Sequence, residues 1–322
     1  MRRILALIAF PLLGASALAG CGSSSPSTPS SAANAAVTAK GTFGKAPSVT
    51  IPKEKPGSAL TVKTLIQGNG ATIKKSDLVL SNFTLYLWSG TKNKLVDSTY
   101  QFTPQVLPAS LLPGIETALT GEKLGSRVLA VLPPKEGYGS NGNPQLGVSG
   151  SDTLVFVMDL IQRYSSGAVS ASGSHVSSGG GALPTVSAAQ GSAPAVTIPK
   201  GVTPPKTLVA KTLIRGSGPA VTKGQDLVVQ YTGVNWRTGK VFDSSWSRAT
   251  PFSFKIGATP SQVIAGWDKG LIGQTVGSRV LLVIPPSDGY GSAGQAQAGI
   301  KGTDTLVFVV DIISAVNPGS AA

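Results

Sequence analysis

Asp243 and Tyr290 stand in a stretch otherwise dominated by aromatic and aliphatic side chains. Asp243 directly follows Phe242 in Gly239-Lys240-Val241-Phe242-Asp243-Ser244-Ser245, and Tyr290 lies in a Gly289-Tyr290-Gly291 turn. Nearby in sequence are Tyr231, Pro251-Phe252-Ser253-Phe254, Trp267 within Val263-Ile264-Ala265-Gly266-Trp267-Asp268-Lys269-Gly270-Leu271, and Phe308. Taken singly, each aromatic reads as core. A lone acid among them needs a partner or a face to solvent, because burying a bare carboxylate is costly. Together they predict an apolar pocket holding few polar groups. The chain has one histidine, His175, and one cysteine, Cys21. A Ser-His-Asp or Cys-His site needs a histidine beside its nucleophile in a packed domain, and His175 lies in a Gly/Ser tract. A zinc site needs several His or Cys ligands. No metal, cofactor or intrachain disulfide is therefore expected.

The elements that must position these residues are strands with one short helix. Val263, Trp267 and Leu271 are spaced i, i+4, i+8, which predicts one helical face packed on a sheet. Asp226 to Thr232 reads as a strand, and residues 236–240 as a turn. Val280 to Ile284 reads as a strand stopped by Pro285-Pro286. Leu306 to Ile313 is an apolar run broken by Asp311, which fits a central strand. One helix across an antiparallel sheet is an α+β arrangement.

This unit occurs twice. Thr64-Leu65-Ile66 returns as Thr212-Leu213-Ile214, Gly125-Ser126-Arg127-Val128-Leu129 as Gly277-Ser278-Arg279-Val280-Leu281, and Thr153-Leu154-Val155-Phe156 as Thr305-Leu306-Val307-Phe308. The repeat is too long for a solenoid unit, so it predicts a duplicated domain. The first copy is placed at 46–164 and the second at 195–316, with a Gly/Ser-rich linker at 165–194 and a tail at 317–322. The Gly-x-Gly pairs at 68–70 and 216–218 lack the third glycine of a dinucleotide loop and read as turns.

Ahead of the repeat, Met1-Arg2-Arg3 and the apolar run from Ile4 to Ala19 predict a secretory signal over residues 1–20. Leu18-Ala19-Gly20-Cys21 resembles the lipobox of bacterial lipoproteins. The resemblance implies acylation of Cys21 and an anchor on the outer face of the cell membrane. Residues 21–45 are rich in Ser, Ala, Pro and Thr and predict a flexible tether. Net charge is +13, yet only 13% of the 322 residues are charged and no dense Lys/Arg run occurs. Nucleic-acid binders cluster their basic residues, so no nucleic-acid partner is expected. Loose attraction to anionic lipids or wall polymers remains open.

The segments Tyr231-Thr232-Gly233, Gly239 to Ser245, Pro251 to Phe254, Val263 to Trp267 and Gly289-Tyr290-Gly291 resemble, in order and spacing, the FKBP-type peptidyl-prolyl cis-trans isomerases. The resemblance covers about residues 207–316 and, less fully, 64–163. It implies two FKBP-like domains, each an antiparallel bent β-sheet wrapped around one short helix. It also implies a pocket formed by Asp243, Tyr290, Phe242, Trp267 and Phe308, with Tyr231, Phe252, Val263, Ile264 and Ile300 contacting substrate. Trp267 would be the floor, and the Ile264 amide and Tyr290 hydroxyl would hydrogen-bond the ligand. Gln295 stands where many members carry a histidine. In the first copy Asp97, Tyr138 and Phe156 match pocket positions, while alignment sets Asn82, Val96 and Ile115 against Tyr231, Phe242 and Trp267. The expected activity is isomerisation of X-Pro bonds, mainly in the second copy. Expected partners are proline-containing segments of exported proteins and a macrolide inhibitor. A non-catalytic chaperone module and an envelope protein using its basic surface are the alternatives.

Overall fold

The strands that read as unbroken apolar runs do so because both of their faces are covered. In the computed structural model, which describes residues 31–90, 92–165, 169–188 and 191–320, the elements fall into two matched sets. The N-terminal part contains α1 (Ser31–Ala35), β1 (Thr38–Lys40) and β2 (Ser48–Thr50). Domain 1 then comprises β3 (Thr61–Ile66), β4 (Leu78–Ser89), β5 (Lys92–Ser98), β6 (Gln105–Pro108), α2 (Pro113–Leu119), β7 (Arg127–Leu132) and β8 (Thr153–Tyr164). Three short strands follow, β9 (Ser174–His175), β10 (Thr185–Ser187) and β11 (Ala195–Thr197). Domain 2 comprises β12 (Val209–Arg215), β13 (Asp226–Asn235), β14 (Val241–Ser244), β15 (Phe252–Lys255), α3 (Ala265–Leu271), β16 (Arg279–Ile284) and β17 (Leu306–Val316).

Both domains are antiparallel sheets with one short helix, the expected α+β class. The strand order is β3-β7-β8-β4-β5 in domain 1, with β6 on β4, and β14-β13-β17-β16-β12-β9 in domain 2, with β15 on β13. β17 is central, as its apolar run predicts. Phe308, Val310 and Ile312 face the helix side and pack with Trp267 and Leu271. Val307 and Val309 face the opposite side and pack with Val186, Trp236, Leu281 and Val283. Two packed faces on one strand remove the period-2 alternation that a half-exposed strand would show.

α3 lies close on β16 because glycines face the sheet. A Cβ at Gly266 would come within 2.6 Å of Ile284, and one at Gly270 within 2.6 Å of Leu282. The helix begins at Ala265, so Val263 precedes it and shares no helical face with Trp267. Trp267 and Leu271 do share the buried face, at i and i+4. Val263 packs on the same core from the loop before the helix.

The described parts of the predicted tether and of the predicted linker carry secondary structure. Residues 31–45 of the predicted tether form α1 and β1. Ala33 and Val37 pack with Trp88, Leu129 and Val155 on the back of the domain 1 sheet. Fully buried Asn34 donates to the Gly57 and Ala59 carbonyls and accepts from the Gly57 N–H. Within the predicted linker, β9 pairs with β12, and Val186 of β10 covers the back of the domain 2 sheet. The hairpins β1–β2 and β10–β11 have the same register, Thr38 opposite Thr50 and Thr185 opposite Thr197. The duplicated unit thus includes a strap that begins before either predicted boundary. The physical reason is tertiary: a strap with only a few apolar residues shows no period, yet it gains a partner from an already apolar sheet face. Residues 1–20 and Cys21 lie outside the described residues.

Each strap is fastened by a buried ion pair. Arg279 Nε donates to Asp311 Oδ1 at 2.6 Å, and the Ala171 N–H donates to Asp311 Oδ2 at 2.9 Å. In domain 1, Arg127 Nε meets Asp159 Oδ1 at 2.6 Å, and the Gly44 N–H meets Asp159 Oδ2 at 2.7 Å. The acid that interrupts each apolar run therefore has a cation on the neighbouring strand and a strap amide, so that its charge is paired.

Candidate functional site

Trp267 sits at the centre of a group of rings in domain 2. β13 brings Tyr231 to a ring-centroid distance of 5.2 Å, β17 brings Phe308 to 5.2 Å, and β15 brings Phe254 to 5.5 Å and Phe252 to 6.3 Å. All four contacts are steeply inclined, which places ring edges against ring faces as the aromatic quadrupole favours. Phe242 extends the group edge-on to Phe308 at 5.4 Å. Val263, Ile264 and Ile300 belong to the same packed cluster. Among the described residues, the buried Trp267 Nε1 has no hydrogen-bond partner.

Gly233 makes room for this arrangement. It pairs with both Asp243 and Phe308 across neighbouring strands. A Cβ there would lie 2.8 Å from Phe242 and 2.8 Å from Phe308. Only glycine lets those two rings approach each other over the strand.

Asp243 is held by two groups. The Tyr231 hydroxyl donates to its Oδ2, and Arg248 Nη1 donates to Oδ1 at 2.6 Å. Arg248 Nη2 also donates to the Tyr231 hydroxyl oxygen at 2.9 Å, closing a three-membered network. Burial, then the bond to the carboxylate, pushes the Tyr231 hydroxyl pKa well up, so it stays protonated as a donor. The Tyr290 pKa is raised as well, first by burial and then by the negative charge of Asp243. Tyr290 is 38% exposed, at the rim rather than the floor. The structure therefore brings the expected residues together: the aliphatic and aromatic ones in one cluster, Asp243 through Tyr231, and Tyr290 within reach of Asp243's charge. Sequence reading missed Arg248, since an exposed-type arginine in a Ser/Trp/Ser loop carries no periodic or motif signal. It also missed Gly233 as a space-maker.

Domain 1 corrects the sequence alignment by one residue. Leu85 pairs with Phe156 and Asp97, as Gly233 pairs with Phe308 and Asp243. Phe83, not Asn82, therefore occupies the place of Tyr231. The Phe83 N–H donates to Thr99 Oγ1 as the Tyr231 N–H donates to Ser245 Oγ. Asn82 corresponds to Gln230, each accepting from that same hydroxyl. Four aromatic side chains of domain 2 are lost: Val96 and Ile115 stand in for Phe242 and Trp267, the register sets Gln105 and Leu107 against Phe252 and Phe254, and the tyrosine hydroxyl is gone as well. Leu85 fills the gap that Gly233 leaves. Burial raises the Asp97 pKa against the Ser98 N–H it accepts, and no cation pairs with it among the described residues. A small, partly open hollow lies here, lined by Phe83, Leu85, Asp97, Leu107, Leu111, Tyr138, Leu146 and Phe156. It is the same site with a smaller floor and fewer aromatic walls.

Two antiparallel sheets, each packed against one short helix, define a tandem of one small α+β domain. The family model for FKBP-type peptidyl-prolyl cis-trans isomerase matches residues 70–161 and 218–313, and the chain belongs to that family. A "FK506-binding protein" of Streptomyces anulatus is 43% identical over 121 residues, which is 38% of this chain and 95% of that protein. A "Probable FK506-binding protein" of Corynebacterium glutamicum is 39% identical over 122 residues, 38% of this chain and 98% of its own length. The crystal structure of AtFKBP13 aligns at 34% identity over 34% of this chain and 92% of that chain, with a TM-score of 0.31. The enzyme is thus a peptidyl-prolyl cis-trans isomerase with two FKBP domains.

Proposed function

We propose that the isomerase activity resides mainly in domain 2, at the ring-lined site around Trp267, and that it acts on X-Pro bonds of exported polypeptides. The observation that carries this reading is the intact aromatic box with its Asp243–Tyr231–Arg248 network, against its partial loss in domain 1. An X-Pro peptide bond must twist through a barrier of about 18–20 kcal/mol. Twisting removes amide resonance, so the carbonyl is less dipolar at the top of the barrier than in the planar ground state. An apolar enclosure disfavours the planar form more than the twisted one, which is differential binding. A thousandfold acceleration requires only about 4 kcal/mol.

In this reading Trp267 forms the floor and Phe242, Phe252, Phe308 and Tyr231 the walls. Val263, Ile264 and Ile300 line the rim, the Ile264 N–H and Tyr290 hydroxyl donate to substrate carbonyls, and Asp243 is oriented by its two donors. The relatives named as binding FK506 support a macrolide of that class as a ligand of the same pocket. A protease-coupled proline-peptide assay on the full chain, with and without the macrolide, tests the assignment. Turnover that is insensitive to Trp267→Ile would overturn it.

We further propose that the protein is a lipoprotein held on the outer face of the cell membrane through Cys21. The apolar run from Ile4 to Ala19 and Leu18-Ala19-Gly20-Cys21 support this. Two acyl chains suffice for stable anchoring. Among the described residues no helix is long and apolar enough to cross a membrane. Cys21→Ala should move the protein out of the membrane fraction after a carbonate wash. Retention there would refute the anchor.

A further inference from the structure

The loop that carries the rim of the domain 2 site is hydrogen-bonded by domain 1. Thr103, only 3% exposed, donates from Oγ1 to Gln262 Oε1 at 2.8 Å. That same oxygen accepts the Lys255 N–H at 2.8 Å, at the end of β15. Gln262 immediately precedes Val263 and Ile264. One residue further along in domain 1, the Pro104 carbonyl accepts from Ser253 Oγ at 2.6 Å, and Ser253 lies between Phe252 and Phe254 of the ring group. Domain 1 thus touches both the strand that supplies two rings and the loop that supplies the rim.

These contacts rest on a fixed junction. Leu78, Leu80, Val106 and Ile161 of domain 1 form one apolar cluster with Val228 and Ile313 of domain 2. Tyr164 and Ser314 share a hydroxyl–hydroxyl hydrogen bond of 2.6 Å across it. Within domain 2 the loop is tied to the helix: Asp268 accepts from the Gly257 N–H and from Ser261 Oγ, both at 2.7 Å. Ser261 Oγ also donates to the Val263 carbonyl at 2.8 Å, and the Thr103 contact adds a hold from domain 1 on the Gln262 side chain beside it.

We propose that Thr103 is a positioning residue for the domain 2 site, and that domain 1, whose own pocket is degraded, acts as a buttress for its neighbour. This rests on the site reading given above. A side-chain glutamine otherwise facing solvent would sample several rotamers. Two donors converging on one oxygen select the rotamer that sets Val263 and Ile264. One ordinary hydrogen bond is worth a factor of roughly two to twelve in such an equilibrium.

The test uses the full chain with Thr103→Val, which keeps the shape and removes the donor, Thr103→Ser, which restores it, Gln262→Met, and the Thr103→Val/Gln262→Met double variant. Steady-state turnover of a proline peptide, thermal melting and amide exchange of peptides covering 257–264 are measured together. Thr103→Val should raise KM about threefold or more, leave kcat within twofold and accelerate exchange of the loop, with the melting temperature nearly unchanged. Thr103→Ser should match wild type, and the double variant should be no worse than the worse single one. Unchanged KM and loop exchange in Thr103→Val, failure of Thr103→Ser to restore them, or additive effects in the double variant would each overturn the proposal. Absence of turnover in the wild-type chain would instead refute the site reading, and loop exchange alone would then decide whether Thr103 positions the rim.

Discussion

Gly233→Ala adds one methyl group at the place where the two domains differ most sharply. The new Cβ would lie 2.8 Å from Phe242 Cζ, 2.8 Å from Phe308 Cε1 and 3.0 Å from Phe242 Cε2. Carbon atoms in contact prefer about 3.5–4.0 Å, so the rings must yield by roughly 0.7–1 Å. Phe308 has no room to move inward, because it is buried and packed 5.2 Å from Trp267. Phe242, half-buried, is the ring that swings away and opens the wall. Overpacking of this kind costs about 1–3 kcal/mol. Replacing a strand glycine in an ordinary extended conformation returns about 0.4–1 kcal/mol through the unfolded chain. The net loss, at most about 2.6 kcal/mol, leaves the domain folded. The catalytic loss should be larger, since a wall displaced by about 1 Å can cost up to about a hundredfold. We expect kcat/KM in the protease-coupled assay on the full chain to fall at least tenfold, about 1.4 kcal/mol of barrier. Turnover within twofold of wild type, with an undisturbed melting curve, would refute the aromatic enclosure as the source of catalysis.

Tyr231→Phe gives domain 2 the residue that domain 1 carries at Phe83 and leaves Asp243 with Arg248 as its only partner in the network. Removal of one donor from a partly buried carboxylate costs about 1–2 kcal/mol. A loss of stability of that order, read as a lowered melting temperature, and a five- to thirtyfold fall in kcat/KM from the disoriented carboxylate are expected, and a change in kcat/KM below twofold would show that the network is idle. Asp304 fixes the loop behind Ile300. Its carboxyl is held well below the usual range, first by the Arg237 guanidinium, with the Lys301 N–H and Asn235 amide adding to it. A folded-state pKa below the unfolded value of about 3.9 contributes stability at neutral pH and loses it as pH falls through the folded value. Wild type and Asp304→Asn should therefore differ in melting temperature at pH 7, begin to draw together only below about pH 4, and converge only once the pH has fallen through the lower folded-state value. A difference independent of pH would mean that the charge is not what holds the loop.

The sequence alone determined the duplication, the α+β class, the central strand and the set of residues that meet at the site. Those features are written in local order: repeated words such as Gly277-Ser278-Arg279, apolar runs closed by Pro285-Pro286, and aromatic residues at family spacing. Only the tertiary structure decided the rest. The straps at 31–45 and 169–188 look like tether and linker because their few apolar residues have no period, and their order comes from a sheet face made elsewhere in the chain. The pairing of Asp311 with Arg279 spans 32 residues, so neither side chain announces the other. The one-residue error that set Asn82 against Tyr231 arose because both Asn82 and Phe83 fit a strand. Only the register, with Leu85 opposite Phe156 where Gly233 faces Phe308, separates them. Arg248 and Thr103 matter through atoms that approach across loops and across the domain junction. A hydrogen bond of 2.6–2.8 Å there depends on where two distant segments come to rest, which the order of residues along either one does not encode.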